Sequence, residues 1–250
     1  ARGGGGGAPP PAGRARARHA RLLLQQVERM QGELGDYGAG VRGHVRLLCN
    51  TSALSEHLPE ALGRYLLANP GVSVDLEERP SDEIADAVRN DTCDLGIAAD
   101  SADLEGLETF LFRPDPLVLV VPHGHPLAKR PAIGLADAAD QPFVGLAEGH
   151  ALQEHLTRHA RRLGKRLQHR VRLRSFEAVC RMVGLGIGVG IVPRAAAVRH
   201  ARSAKIQRIR LTDAWAARSL MVCARQLSSM PVHVRQLVRH LTGQPTDAPG

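Results

Sequence analysis

The sequence has few of the features that mark specialised protein classes. Aromatic residues make up only 3% of its 250 residues, which argues against an aromatic stacking platform for single-stranded nucleic acid. Its four cysteines form no Cys-x-x-Cys pair, so neither a zinc ribbon nor a disulfide scaffold is expected. No apolar run approaches the ~18 residues of a membrane span, and no apolar segment follows the N-terminal basic residues. We therefore expect a cytoplasmic chain in a reducing compartment.

The charge balance is basic. Lys and Arg total 33 against 25 Asp and Glu, which gives a net charge of +8. The excess is compatible with a polyanionic partner, but the basic residues are spread along the chain, so charge alone does not identify one. Hydrophobic residues make up 43%, enough for a core in one large domain or two small ones.

Low-complexity sequence occupies both ends. Residues 1–13 read ARGGGGGAPPPAG and residues 244–250 read QPTDAPG after Gly243, and we predict both segments to be disordered. Between them, residues 14–40 hold a narrow apolar seam whose steps alternate between three and four residues. A helix with so narrow a stripe needs a partner helix to bury it, which predicts dimerisation. The seam consists of Ala20, Leu23, Val27, Met30 and Leu34.

After this helix, short buried strands alternate with amphipathic helices. The alternation predicts an α/β fold with mostly parallel sheets and helices on both faces. Two strand–helix sets joined by two connecting strands predict two lobes with a cleft between them.

Three predicted helix starts would face that cleft, because ligands of such sheets bind beyond the carboxyl ends of strands. They are Asn50-Thr51-Ser52, Pro80-Ser81 and Leu146-Ala147-Glu148-Gly149. We expect Ser52 or Ser55 to cap a helix ending near Asn69, and Ser81 to cap the next helix. Hydroxyls and free backbone amides at such positions can hold a small anion. Plain capping is the alternative at each start, whereas their occurrence in both lobes favours a binding cleft.

Other motifs favour structural roles. The segment GLGIGVG has glycines at 184, 186, 188 and 190. A helix precedes it and a strand follows, which is the reverse of the order in a dinucleotide-binding loop, so we predict a tight helix-to-strand turn.

His155 and His159 have the spacing of metal ligands on a helix. Their helix is basic, however, and residue 156 is Leu rather than Glu, so we predict a solvated face and no metal. No serine lies in Gly-x-Ser-x-Gly, and no nucleophile, base and orienting group share a recognisable spacing. We therefore predict neither an enzyme nor a cofactor.

The order of these pieces resembles that of LysR-type transcriptional regulators. The resemblance covers residues 11–243. No single segment is a strong motif for the family, but the segments together are specific for it. They are PAGRARARHARLLLQQVERM, GHVRLLCNTSALSEHLPEAL, NPGVSVDLEERPSDEIADAVRNDTCDLGIA, DPLVLVVPHGHPLA and FEAVCRMVGLGIGVGIVP, followed by the closing strand and helix.

The resemblance implies a two-lobed fold like that of type 2 periplasmic binding proteins, preceded by a linker helix. Residues 14–40 would be the dimerising linker and residues 44–243 the effector-binding domain. Within that domain the first lobe would be about 44–119 plus 226–243 and the second about 120–225. A small metabolite would bind in the cleft, and the chains would assemble into dimers or tetramers. Glu148 fits poorly with an anionic effector, so either it points away or the ligand carries a cationic or hydroxyl group. By position, the implied effector contacts are Thr51, Ser52, Ser81, Ala99, Ala147, Glu148 and Gly149.

The family's winged helix-turn-helix, on the order of 60 residues, would precede Pro11, where the sequence has only ARGGGGGAPP. We therefore expect residues 1–250 to make no DNA contacts of this type themselves. DNA binding would depend on a winged helix-turn-helix that is absent from this chain. Two alternatives use the same fold. A solute-binding protein is opposed by the missing secretory signal and the coiled-coil-like helix, and an enzyme is opposed by the missing catalytic constellation.

Overall fold

The computed structural model describes residues 41–243. The predicted linker helix at 14–40 and the predicted disordered segments at 1–13 and 244–250 lie outside the described residues. Between Val41 and Gly243 the structure contains no helix that is both long and apolar enough to cross a membrane.

The described chain alternates strands with helices, as the pattern of apolar residues predicts. The strands are β1 Arg42–Cys49, β2 Gly71–Glu78, β3 Leu95–Ala99, β4 Glu108–Pro114, β5 Leu117–Pro122, β6 Ala132–Ile133, β7 Pro142–Leu146, β8 Gln168–Leu173, β9 Gly190–Pro193, β10 Ile206–Leu211 and β11 Ser219–Ala224. The α-helices are α1 Thr51–Glu56, α2 Leu58–Ala68, α3 Ser81–Arg89, α4 Leu135–Ala138, α5 Ala151–Arg162, α6 Phe176–Gly184, α7 Arg194–His200 and α8 Val232–Thr242.

The strands form two lobes. The first lobe holds a five-stranded sheet in the order β2-β1-β3-β11-β4. The second holds a four-stranded sheet in the order β6-β10-β5-β9 and the two-stranded sheet β7-β8. The sheets are mixed rather than mostly parallel, because β11 runs antiparallel to β3 and β4, and β5 runs antiparallel to β9 and β10.

Each lobe has its own hydrophobic core. Buried residues between Leu117 and Ala216 form the core of the second lobe. The first lobe's cores combine residues before Arg113 with residues 220–241, which include the buried face of α8. The chain therefore crosses between the lobes twice, at Asp115–Pro116 and at residues 212–218.

These crossings correct the predicted lobe boundaries. The strand Ser219–Ala224, predicted in the second lobe, pairs in the first sheet, where Leu220 and Val222 are fully buried. Residues 117–119, predicted in the first lobe, belong to β5 of the second sheet. The first crossing occurs where Pro114 and Pro116 flank Asp115, since proline lacks the N–H that a continuing ladder requires.

The first helix after β1 is also shorter than predicted. Asn50, not Ser52 or Ser55, caps α1, because its side chain accepts a hydrogen bond from the N–H of Ala53 at 2.9 Å. A second helix, α2, starts at Leu58 with Pro59 in its first turn. Proline fits the start of a helix but disrupts the interior, so the chain forms two helices instead of one.

The glycine-rich segment forms a tight turn between α6 and β9, as predicted, rather than a nucleotide loop. A Cβ atom on Gly184 would lie 1.7 Å from the carbonyl oxygen of Ala204, and one on Gly188 would lie 2.3 Å from the carbonyl oxygen of Pro142. Gly186 has a φ of +81°, a conformation that L side chains rarely adopt. The glycines thus allow close backbone approach.

A matched pair of glycine substitutions tests this packing. Gly184→Ala should lower the free energy of unfolding by about 1–3 kcal/mol, because a backbone carbonyl cannot move aside as a side chain can. Gly63→Ala, in α2, should raise it by about 0.5–1 kcal/mol, since nothing lies within 4 Å of the added Cβ and alanine favours helices. Urea denaturation measures both. Equal effects of the two substitutions would contradict the close approach at Gly184.

Candidate functional site

A narrow cleft lies between the lobes, with a cavity volume of about 70 Å³. We call it the inner cleft. In this arrangement of the lobes the cavity has room for a ligand of only a few non-hydrogen atoms, because a cavity that holds a single water needs about 10–15 Å³. Its lining residues are Asn50, Thr51, Ser52, Ser81, Asp82, Ala99, Ser101, Ala102, His150, Ala151, Leu152, His155, Arg158, Phe176 and Arg218.

Ser81 is held in place at the first-lobe wall of the inner cleft. The prediction that Ser81 caps α3 is wrong, because Pro80 occupies the cap position. The Ser81 hydroxyl oxygen instead accepts hydrogen bonds from the Asn50 side-chain amide at 3.2 Å and from the N–H of Ala99 at 3.0 Å. A serine hydroxyl accepts two hydrogen bonds and donates one. Both acceptor positions are therefore used, and the hydroxyl hydrogen remains available for an acceptor on a ligand.

The neighbouring hydroxyls have partners within the protein. The Ser52 hydroxyl is buried and donates to Oδ2 of Asp115 at 2.8 Å. The Thr51 hydroxyl donates to Oε1 of Glu78. These two predicted contact residues line the inner cleft, but their hydroxyl hydrogens point to carboxylates of the protein. Ser81 is thus the better placed hydroxyl donor.

The other three predicted contact residues line a different recess. Ala147, Glu148 and Gly149 lie at the mouth of the cleft, beside Thr51 and Arg79, around a volume of about 310 Å³. The Glu148 carboxylate is 80% exposed and forms an ion pair with Arg172 of β8. It lies outside the lining of the inner cleft, and Arg172 offsets its charge.

A buried ion pair joins the two crossings beneath the inner cleft. Nη2 of Arg218 lies 2.6 Å from Oδ2 of Asp115, and Nε donates to the Asp115 carbonyl oxygen at 3.2 Å. The backbone N–H of Asp115 donates to the Arg218 carbonyl oxygen at 3.0 Å. The Asp115 side chain is fully buried and that of Arg218 is 8% exposed. Each charge thus depends on the other for compensation in a water-poor environment.

A second ion pair connects the lobes directly. Glu56 at the end of α1 lies 3.2 Å, Oε2 to Nε, from Arg199 of α7. Arg199 also donates to the Glu56 carbonyl oxygen at 3.1 Å. Burial raises the pKa of Glu56, and Arg199 opposes that shift. The helix whose start lines the inner cleft is therefore attached at its end to the opposite lobe.

Two histidines form part of the second-lobe wall. His150 caps α5, because its Nδ1 accepts from the N–H of Leu152 at 3.2 Å. His155, one turn further on, contacts Trp215, with ring centroids 5.5 Å apart. Burial lowers the pKa of His150, and burial together with neighbouring cations lowers the pKa of His155 to about 4. Both rings are thus neutral at pH 7.

The prediction that His155 and His159 form a solvated face is wrong. Both side chains are only partly exposed, and the His159 ring stacks on Trp215 at 4.7 Å. The sequence does carry a signal of this partial burial. Counted from Leu152, residues 155, 156, 159 and 160 lie three, four, seven and eight positions later, which is the spacing of a buried helix stripe.

One cluster contains the residue types of a hydrolytic triad in an order that does not support catalysis. Ser52 donates to Asp115, and Nε2 of His57 lies 4.0 Å from the other oxygen of the same carboxylate. A nucleophilic serine needs the histidine, not the carboxylate, as its hydrogen-bond acceptor. Within residues 41–243, no three His, Cys, Asp or Glu side chains are grouped so as to hold a metal ion.

The chain is similar to solved regulatory and effector-binding domains. The regulatory domain of Synechocystis PCC6803 CcmR, in complex with 2-PG, matches with a TM-score of 0.69 and 21% identity over 81% of this chain and 97% of that one. The effector-binding domain of QuiR in complex with shikimate matches with a TM-score of 0.63 and 16% identity, over 81% and 96%. These likenesses confirm the predicted α/β fold, similar to that of type 2 periplasmic binding proteins.

Sequence comparison gives the family. The RuBisCO operon transcriptional regulator of Allochromatium vinosum is 25% identical over 181 residues, which are 72% of this chain and 60% of that protein. This chain thus spans about three fifths of that relative's length. The family described as LysR substrate binding domain matches residues 38–245. The resemblance to LysR-type regulators is therefore confirmed, and the chain belongs to the LysR substrate-binding domain family.

Proposed function

We propose that this chain is the ligand-sensing part of a LysR-type transcriptional regulator and binds a small carboxylate in the inner cleft. The observation that carries the proposal is the cleft's composition. Donors from both lobes, Ser81 on one side and His150 on the other, line one small cavity. A ligand that contacts both lobes stabilises one angle between them and shifts the population toward it.

The charge and polarity of the cleft favour an anion. Arg158 lines it, and the starts of α3 and α5 add the positive ends of two helix dipoles. Arg218 also lines it, but Asp115 compensates the charge of Arg218. Asp82 is the one acidic residue in the lining, and the carboxylate of Glu148 lies outside. The QuiR domain binds shikimate, a carboxylate, on the same fold, which agrees with this ligand class.

Control of transcription requires the ligand signal to reach DNA. We propose that the apolar seam of residues 20–34 pairs with the same seam of a second copy, and that a winged helix-turn-helix outside this chain contacts DNA. The domain division 1–13, 14–40, 44–243 and 244–250 belongs to this proposal. Its support is the identity of the curated relatives, which are transcriptional regulators. We propose no catalytic activity and a cytoplasmic location.

A ligand screen followed by one substitution tests the proposal. The full chain is screened by thermal shift against small carboxylates and organic phosphates, with shikimate and inorganic phosphate included. For the carboxylate that binds best, Ser81→Ala should weaken affinity at least about tenfold, because a hydrogen bond to a charged group contributes about 1.5–3 kcal/mol. Isothermal titration calorimetry measures the change.

Ser203→Ala serves as the matched control. Ser203 is exposed and its hydroxyl bonds only the carbonyl oxygen of His200, so this variant should bind as the wild type does. Circular dichroism confirms that Ser81→Ala remains folded. A screen without any hit, or a best ligand whose affinity is the same in Ser81→Ala, would contradict the proposal.

A further inference from the structure

Two residues in the second-lobe wall of the inner cleft each carry a buried nitrogen atom that has no hydrogen-bond partner within the described residues. The two atoms are Nε2 of His150 and Nε2 of His155, and each is shielded from solvent. Both residues line the inner cleft. A buried polar group without a partner costs about 1–3 kcal/mol, so native proteins rarely keep one without a reason.

The hydrogen bonds of His150 determine which of its nitrogens carries the proton. Nδ1 accepts the N–H of Leu152, so in the neutral ring the hydrogen resides on Nε2. Burial lowers the pKa of this ring, which keeps it neutral. The atom that His150 presents in the cleft wall is therefore an N–H donor without formal charge.

His155 stands between the cleft and the second crossing. Its ring lies edge-on to Trp215, which belongs to the short turn Ala214–Ala216 between β10 and β11. Trp215 is the single tryptophan of the chain. A ligand that contacts His155 is thus one side chain away from a fluorophore located in the crossing.

We infer that His150 and His155 bind an uncharged oxygen of the ligand, so that the ligand is a small hydroxy- or oxo-carboxylate rather than a simple carboxylic acid. The inference rests on the proposed function and names the ligand class for the same cleft. The Ser81 hydroxyl and the free backbone N–H groups at the start of α3 donate hydrogen bonds to the carboxylate. The Nε2–H of His150, an uncharged donor, donates to the hydroxyl or oxo oxygen, and Nε2 of the neutral His155 ring is the second contact to that group.

Pairs of acids that differ only in one hydroxyl group test the inference. The full 250-residue chain is titrated with glycolate and acetate, and with lactate and propionate. Trp215 fluorescence and isothermal titration calorimetry report binding. Glycolate and lactate should bind at least about tenfold more tightly than their partners and should change Trp215 fluorescence.

The variants are chosen to keep the fold. His150→Asn retains a side-chain oxygen that can cap α5, since asparagine is a favourable cap, but it removes the Nε2 donor. His155→Phe retains a ring against Trp215 and removes both nitrogens. His123→Asn, at an exposed turn, is the control. Each cleft variant should reduce the glycolate-to-acetate affinity ratio from about ten toward one, whereas the control keeps the full ratio.

Three results would overturn the inference. They are equal affinity for glycolate and acetate, unchanged glycolate binding in His150→Asn, and no binding of any of the four acids. His150→Asn alone decides the matter if His155→Phe does not fold. If the acids bind and depend on Ser81 but not on the histidines, the inference fails while the proposed function stands. If none of the acids binds, the inference fails, and the proposed function is tested separately by the metabolite screen and the Ser81→Ala variant.

Discussion

Arg218→Met should lower the free energy of unfolding by about 3–5 kcal/mol, a large part of the stability of an ordinary domain. The substitution leaves the fully buried Asp115 without the arginine that compensates its charge. Methionine replaces most of the side-chain volume, so the loss reports the charge rather than a cavity. Urea denaturation of the full chain, followed by far-UV circular dichroism, measures the change.

A double variant separates the ion pair from other effects of the substitution. Asp115→Asn removes the negative charge and keeps an oxygen that can accept from Ser52. Combined with Arg218→Met, it should recover at least about 1 kcal/mol of the loss, because a buried neutral amide costs less than a buried unpaired carboxylate. Arg208→Met, at an exposed position of β10, should change stability by less than about 0.5 kcal/mol. If Arg218→Met were as stable as this control, the buried pair would have no stabilising role.

The protein should lose stability as the pH falls from 7 toward 4, and His155 should be a main cause. In the unfolded chain a histidine has a pKa near 6.5, whereas burial and the cations His159, Arg218, Arg158 and Arg162 lower the pKa of folded His155 to about 4. Between these values the unfolded state binds more protons, so the free energy of unfolding decreases as the pH decreases. This single group accounts for about 2 kcal/mol at pH 5 and about 3 kcal/mol at pH 4.

His155→Phe tests this assignment, because phenylalanine keeps the ring and cannot take up a proton. Unfolding free energies measured at pH 7, 6 and 5 should fall less steeply in this variant than in the wild type or in His123→Asn. Glu56 acts in the opposite direction, since its raised pKa makes the folded state bind a proton more readily than the unfolded state. An identical pH dependence in His155→Phe and the wild type would contradict the assignment.

These two effects come from the same part of the molecule. Arg218 and Trp215 belong to the second crossing, and His155 contacts that crossing from α5. A ligand in the inner cleft therefore lies against the residues that connect the lobes. A change in the cleft can thus reach the lobe angle through one layer of side chains.

Local patterns in the sequence predicted much of the secondary structure. The apolar run of β5 and the alternation of Val72 and Val74 gave strands, and the helix before GLGIGVG together with the strand after it identified a tight turn. These features depend on residues close in sequence, so spacing and turn chemistry suffice to predict them. The pattern of strands and helices also predicted two lobes, and the family resemblance supplied lobe boundaries, which the structure corrects at both crossings.

Long-range pairing decided what local patterns could not. β11 follows the second lobe in sequence, yet its antiparallel pairing with β3 and β4 places it in the first. Ser52 begins a helix and was predicted to offer a hydroxyl to the ligand, but Asp115, 63 residues away, accepts its hydrogen. Glu148 forms an ion pair with Arg172 of β8 and lies outside the lining of the inner cleft.

The sequence by itself thus determined most of the helices and strands, the tight glycine turn and the region of the cleft. The tertiary structure decided which polar groups in that region remain available: the hydroxyl hydrogen of Ser81 and the Nε2 atoms of His150 and His155. The physical reason is that a hydrogen-bonding group is available only when its nearest partners are already satisfied or absent. Those partners come from strands and crossings distant in sequence, and spacing along the chain does not specify them.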